Sequence, residues 1–314
     1  MYLRILFTVI GLLFTIIVIA VIDFSKRYPL PVTNRISFDA KLKFIRENIN
    51  PDKVDTLIVG SSIGLNNILG DVLEKSSTNI DNALNLSVYE ATTLQVEQVL
   101  ELSDAFPNLE RIIYSAQYSD FPHARRYKNY NSALLVRFIR HELSPLALLK
   151  VYFKGCNNLI FCYERASQWE KKHMQKNKFT YLGFDHTGSV PLEIYTEKGV
   201  GGRWWLPHPG IMHEESFAAV GRMAEKALQN NIKFYMIHSP YREPLVKKHK
   251  GVRDALSYFE ARLQPIIEQY SATLVRLQKL HLDDRYFADR SHLNLKGSRR
   301  ISIKIGMMVD ENEK

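Results

Sequence analysis

The sequence predicts an α/β protein with a parallel sheet, a helical insertion and one N-terminal transmembrane helix. Three observations predict it. Thr56-Leu57-Ile58-Val59 is a short apolar and β-branched run bounded by Asp55 and Gly60, the pattern of a central strand covered on both faces. Apolar strand-like runs then alternate with segments of helical period, which implies parallel strands joined by crossover helices. Finally, residues 5–22 are apolar apart from two threonines and one glycine, long enough to cross a bilayer as a helix.

The elements follow in chain order. After the apolar run, Tyr28-Pro29-Leu30-Pro31 reads as a stiff extended spacer, because each proline biases its predecessor away from helix. Phe38, Leu42 and Ile45 recur at helical spacing among charged residues and form a short amphipathic helix that Asn50-Pro51-Asp52 ends. Past the opening strand, 65–73 reads as helix, 82–86 as strand, 92–106 as helix and 111–116 as strand. From 131 to about 175 the rhythm breaks into apolar helical stretches around Ser144-Pro145, a helical insertion over the sheet edge or near the membrane. Residues 183–213, rich in glycine, proline and aromatics, form a long irregular loop, and loops of that length in a compact domain are usually functional. A helix at 214–230, a strand at 232–240, a helix at 252–270, a strand at 272–275 and a helix at 296–308 complete the chain, with no internal repeat.

The chain has 314 residues, 46% of them hydrophobic, and a net charge of +9. That is enough for one large core and excludes a disordered or collagen-like chain. The N-terminal run ends in Asp23-Phe24-Ser25-Lys26-Arg27 rather than in small residues, so it reads as an anchor and not as a cleaved signal peptide. Arg4 on one side and Lys26, Arg27 and Arg35 on the other leave the orientation open by charge. Cys156 and Cys162, the two cysteines, are spaced to close a small loop in an oxidising compartment or to stand as two free buried thiols. Taken with the anchor, they favour a domain outside the cytoplasmic membrane. The basic clusters at 123–128, 171–178 and 247–250 come with no nucleic-acid motif and read as solvated faces near a membrane, so no nucleic-acid partner is expected.

The chemistry rests on two stretches. Gly60-Ser61-Ser62 follows the first core strand, where active sites of parallel sheets lie. Asp289-Arg290-Ser291-His292-Leu293 precedes the last helix and places a carboxylate three residues before an imidazole. The carboxylate can accept from one ring nitrogen and leave the other to take a proton from a serine.

Serine after the first strand, Asp-x-x-His before the last helix and alternating α/β between them resemble the SGNH/GDSL hydrolase superfamily over roughly residues 55–308. The resemblance implies a flavodoxin-like three-layer α/β/α fold. It puts Ser62 at the nucleophile of the family's Gly-Asp-Ser block, with Ser61 replacing the aspartate, and matches Asp289, His292 and Leu293 to Asp-x-x-His-Leu. The second block falls on 85–92, with Glu90 near the oxyanion-hole glycine. The third, Gly-x-Asn-Asp, falls on Gln117-Tyr118-Ser119-Asp120, where the asparagine is absent and Ser119 or Gln117 would donate instead. A main-chain N–H can still serve at the glycine position.

The resemblance implies a serine acyl-ester hydrolase or O-acyl, usually O-acetyl, transferase acting on a cell-surface glycan. Its expected partners are the bilayer, through residues 5–22, an acyl-ester or glycan substrate and a membrane acyl-donor protein. The alternative is a weak or inactive module of the same fold that binds glycan or scaffolds polysaccharide assembly. Contact between Ser62 and His292 discriminates the two.

Three domains are expected: an anchor at 1–24, a juxtamembrane spacer with a short helix at 25–50, and an α/β domain at 51–314 with its insertion at about 121–213. Trp204, Trp205 and His208 read either as a stacking platform for sugar rings or as an aromatic loop covering its own core. Asp185-His186 and His213-Glu214 lack the spacing of a known metal site, and no metal or cofactor is expected. His238, at an apolar strand end, reads as a hydrogen-bonded core histidine.

Overall fold

The computed structural model describes residues 2–29, 31–33, 35–128, 130–155, 159–176, 178–195 and 211–313. It opens with α1 (Tyr2–Arg27) and α2 (Ile36–Asn48), followed by β1 (Thr56–Gly60), α3 (Ser62–Asn67), α4 (Gly70–Ser76), β2 (Ala83–Asn85), α5 (Thr93–Leu100) and β3 (Arg111–Ala116). The insertion supplies α6 (Ser132–Ile139), α7 (Pro145–Gly155) and α8 (Leu159–Met174). The fold resumes with α9 (Glu214–Gln229), β4 (Lys233–His238), α10 (Glu243–Lys248), α11 (Lys250–Gln269), β5 (Thr273–Arg276) and α12 (Leu295–Asn312).

The described strands form one five-stranded sheet in the order β2-β1-β3-β4-β5. Every neighbouring pair is parallel, with Thr56 opposite Arg111 and Arg111 opposite Lys233. This is the flavodoxin-like order of a doubly wound sheet. Successive residues of a strand face opposite ways, and the packing follows. Leu57 and Val59 join Ile112, Tyr114 and Met236 in the core under α2, α5, α9 and α11. Ile58 joins Ile113, Tyr235 and Ile237 under α4 and α12. Helices on both faces and a buried sheet between them make three layers. The edge strand β2 is covered by the irregular segment near 187–190, through Asn85 N–H donating to Thr187 O at 2.7 Å, so its open hydrogen bonds are not left as a template for another chain.

Two features depart from the expected elements. The stretch read as one helix at 65–73 is two, α3 and α4. Asn85 Nδ2 takes the carbonyls of Gly64 and Ile68, both at 3.0 Å, and Ser302 Oγ accepts from Leu69 N–H at 2.9 Å. These partners, distant in sequence, break the helix by replacing its own ladder. The segment after α1 is also not a free-standing spacer. Pro29 and Pro31 are buried, Tyr28 OH donates to Glu170 Oε1 at 2.6 Å, and Trp169 Nε1 donates to Arg27 O at 3.2 Å. Phe24 lies with its ring 6.3 Å from that of Tyr152 on α7. The insertion thus grips the end of α1.

Among the described residues one helix, over Tyr2–Phe24, is long and apolar enough to cross a membrane, and none of its most apolar 18-residue window is buried in the protein. An apolar helix with Leu3, Phe7 and Phe14 all more than 60% exposed is not a core helix of this domain.

Candidate functional site

The site forms at the carboxyl ends of β1 and β3, where the strand order reverses and doubly wound sheets bind ligands. Gly60 makes the turn there. A Cβ on it would lie 2.5 Å from Ser115 O of β3 and 3.3 Å from Gly64 Cα, so only a residue without a side chain lets β1 pass directly into α3. Ser61 then caps α3, its Oγ accepting from Ile63 N–H at 3.3 Å, and is buried. Ser62 is half-buried and lines the cleft. The two serines are therefore separated by what their hydroxyls do: one holds the helix start, the other faces the cleft.

His292 is carried by a tight return of chain. Phe287 and Leu293 form an antiparallel bridge, and Ala288 N–H donates to His292 O at 2.8 Å. Asn294 then caps α12, accepting from Lys296 and Gly297 N–H at 3.1 Å each. Leu293 N–H donates to Asn67 Oδ1 at 2.8 Å, which ties this loop to the far end of the helix that Ser62 opens.

The three side chains meet. His292 Nδ1 is 2.9 Å from Asp289 Oδ2, and His292 Nε2 is 2.8 Å from Ser62 Oγ. With the proton on Nδ1 donating to the carboxylate, Nε2 accepts from the serine hydroxyl. Asp289 Oδ1 accepts from the N–H groups of Ser291 at 2.9 Å and His292 at 2.7 Å. Burial raises the Asp289 carboxyl, but the His292 imidazole and these amides outweigh it and hold it below its ordinary value. The Phe179 ring packs 5.8 Å from the imidazole and shields one side of it.

In front of Ser62 lies a cleft of about 270 Å³. One wall carries Glu90, Ala91 and Thr92, another Gln117, Ser119 and Asp120, and the mouth carries Arg35, His123 and Arg125. Glu90 has a left-handed backbone, φ 59°, a conformation that favours glycine. Its carboxylate turns outward to Arg35 at 2.6 Å. Ser119 is exposed to the cleft. Gln117 is buried, its N–H donates to Asp120 Oδ2 at 3.0 Å, and its side chain caps the short turn that follows. Burial pushes the Asp120 carboxyl up to about 7 against the opposing pull of Gln117 N–H, the Ser61 hydroxyl and the neighbouring His292. Asp120 thus joins the β3 turn to the turn that carries the serine.

The other nominated residues sit elsewhere. Trp204, Trp205, His208 and Cys156 lie outside the described residues. Cys162 is disulfide-bonded. His238 is fully buried, with Nδ1 2.8 Å from Glu260 Oε1. Asp185 Oδ1 accepts from Thr187 and Ser189 N–H, both at 2.9 Å, and His213 Nδ1 caps α9 through Glu215 N–H at 3.3 Å. Each serves its own loop or helix. Sequence reasoning missed Arg35, Asp120, His123 and Arg125 as cleft residues. Asp120 carried a signal, since it lies in the Gly-x-Asn-Asp-like stretch. Arg35 carried none, because it reaches the cleft from the segment that follows α1.

No family model matches the chain, and no curated protein matches it. Among solved structures it is similar to a Bacteroides fragilis protein described as a "putative acylhydrolase", at 13% identity, covering 86% of this chain and 94% of that one, with a TM-score of 0.44. That likeness is too low to transfer an activity.

Proposed function

We propose that this chain is a membrane-anchored, SGNH-type serine esterase or O-acyltransferase, acting on acyl, usually acetyl, esters of a cell-surface glycan. The observation that carries the reading is the continuous relay from Ser62 Oγ to His292 Nε2 and from His292 Nδ1 to Asp289. Ser62 Oγ attacks the ester carbonyl carbon while its proton passes to His292 Nε2, and Asp289 holds the ring and balances the imidazolium. Collapse of the tetrahedral intermediate expels the alcohol, which takes the proton from His292 and leaves an acyl-enzyme on Ser62. Water or a sugar hydroxyl, deprotonated by the same imidazole, then removes the acyl group. The oxyanion falls to main-chain N–H groups at the start of α3 and beside Glu90, with Ser119 or Gln117 in place of the family's asparagine. The left-handed Glu90 at the family's glycine position supports that correspondence.

α1 would anchor the chain at residues 5–22, with the α/β domain periplasmic or extracytoplasmic. The disulfide at Cys162 supports an oxidising compartment. Reporter fusions at the C-terminus test this, and a cytoplasmic domain removes the surface-glycan substrate.

A second reading, a weak or inactive glycan-binding module, is favoured by the missing asparagine at Ser119, since losing one oxyanion donor costs about 10²–10³-fold in turnover. The two separate in one assay of the intact chain in membranes, supplied with O-acetylated and unacetylated oligosaccharides. The enzyme releases or transfers acetate, and Ser62→Ala stops it. A binding module retains oligosaccharide with no acetate change, equally in Ser62→Ala.

A further inference from the structure

We propose a second site, for the headgroup of an anionic phospholipid, in the hollow between α6, α7, α8 and the segment that follows α1. The proposal rests on the membrane placement of α1 and not on the chemistry at Ser62. The hollow has a volume of about 450 Å³. Val32, Leu134, Val151 and Phe161 give it an apolar floor, and Lys128 and Lys154 stand at its polar side.

Among the described residues no acidic side chain lines the hollow. Among the described residues no carboxylate pairs with Lys128 or Lys154. Two ammonium groups over apolar side chains fit an amphiphile with an anionic head. A free phosphate would leave the apolar floor unused, and a zwitterionic head would bring its own cation to the two lysines.

Its position points to the bilayer as the source. Val32 follows the end of α1 by five residues, a reach of at most about 18 Å. The grip of Tyr28, Trp169 and Tyr152 on the end of α1 fixes α7 and α8 at that level. Leu146, Ile160 and Tyr163, on the same two helices, are 65%, 69% and 75% exposed, as suits helices resting against lipid. An anionic leaflet also attracts lysines within a Debye length of its surface.

The test is calorimetric titration of the full chain, in a neutral detergent, with dihexanoylphosphatidylglycerol, dihexanoylphosphatidylcholine and inorganic phosphate. The proposal expects saturable binding of the glycerol lipid at least tenfold tighter than of the choline lipid or phosphate, weakening with added salt. Lys128→Gln with Lys154→Gln should lose at least tenfold, with the melting curve unchanged. Equal binding of the two lipids overturns it, as does phosphate binding as tightly as the lipid, or an unchanged affinity in the double variant. If the double variant does not fold, the wild-type comparison of the two lipids decides alone. Ester turnover plays no part in this assay, so failure here leaves the reading of Ser62 standing, and failure there leaves this site standing.

Discussion

Asp289 uses its two oxygens for two tasks: Oδ1 takes the N–H groups that shape the loop, and Oδ2 takes the imidazole. An asparagine amide nitrogen in the second place would donate to His292, drive the proton to Nε2 and leave no base for Ser62. Asp289→Asn is therefore expected to lower kcat on a soluble ester by about 10³–10⁴-fold with little change in KM and in folding, measured by steady-state kinetics and circular dichroism. A rise in KM together with a loss of stability instead would assign Asp289 to shaping the loop and not to the base. These three residues were legible in the sequence because a short spacing carries the Asp289–His292 contact and a strand end carries Ser62. The Arg35 contact with Glu90 spans 55 positions and one ion pair, and no periodicity or motif reports such a meeting.

Among the elements, the passage from β1 to α3 is the most constrained. Gly60→Ala would drive a methyl group against the Ser115 carbonyl, a backbone atom that cannot swing away. The expected cost is about 1–3 kcal/mol, seen as a lower midpoint in denaturant, with ester turnover lost in proportion as Ser62 is displaced. Gly251, in the exposed first turn of α11, has open space within 4 Å of where a methyl would stand, and Gly251→Ala should stabilise by about 0.4–1 kcal/mol with turnover unchanged. Equal effects at the two sites would show that the close approach to β3 does not govern the turn. β3 was legible to the residue, because a fully buried parallel strand is a mostly apolar run, here Ile112, Ile113 and Tyr114 between Arg111 and Ser115. The break between α3 and α4 was not, since it depends on Ser302, 233 positions away.

Across the whole molecule, the two ends of the chain are tied to the domain by different means. The C-terminal turn is held by Glu313, whose carboxylate accepts from Arg111 Nε at 2.8 Å and Nη2 at 2.7 Å, from Tyr235 OH at 2.8 Å and from Lys233 at 3.0 Å. Burial raises this carboxyl, but Arg111, Lys233 and Tyr235 together hold it below its ordinary value. Its contribution is therefore present above the ordinary carboxylate range and is lost as pH falls through the depressed native value. Glu313→Gln should cost about 1–3 kcal/mol at neutral pH, and the gap to wild type should close on acidification; a gap independent of pH would contradict the electrostatic account. The N-terminal helix was legible as an apolar run, whereas the grip of α7 and α8 on its end was not, because Tyr28 and Trp169 meet partners 142 positions away. The account as a whole stands on Ser62 as a nucleophile activated by His292. The most direct measurement is labelling of the intact chain with a fluorophosphonate, followed by mass mapping of the adduct. The account predicts one adduct on Ser62, absent in Ser62→Ala and strongly slowed in His292→Ala; no adduct, or one on another residue that survives Ser62→Ala, would contradict it.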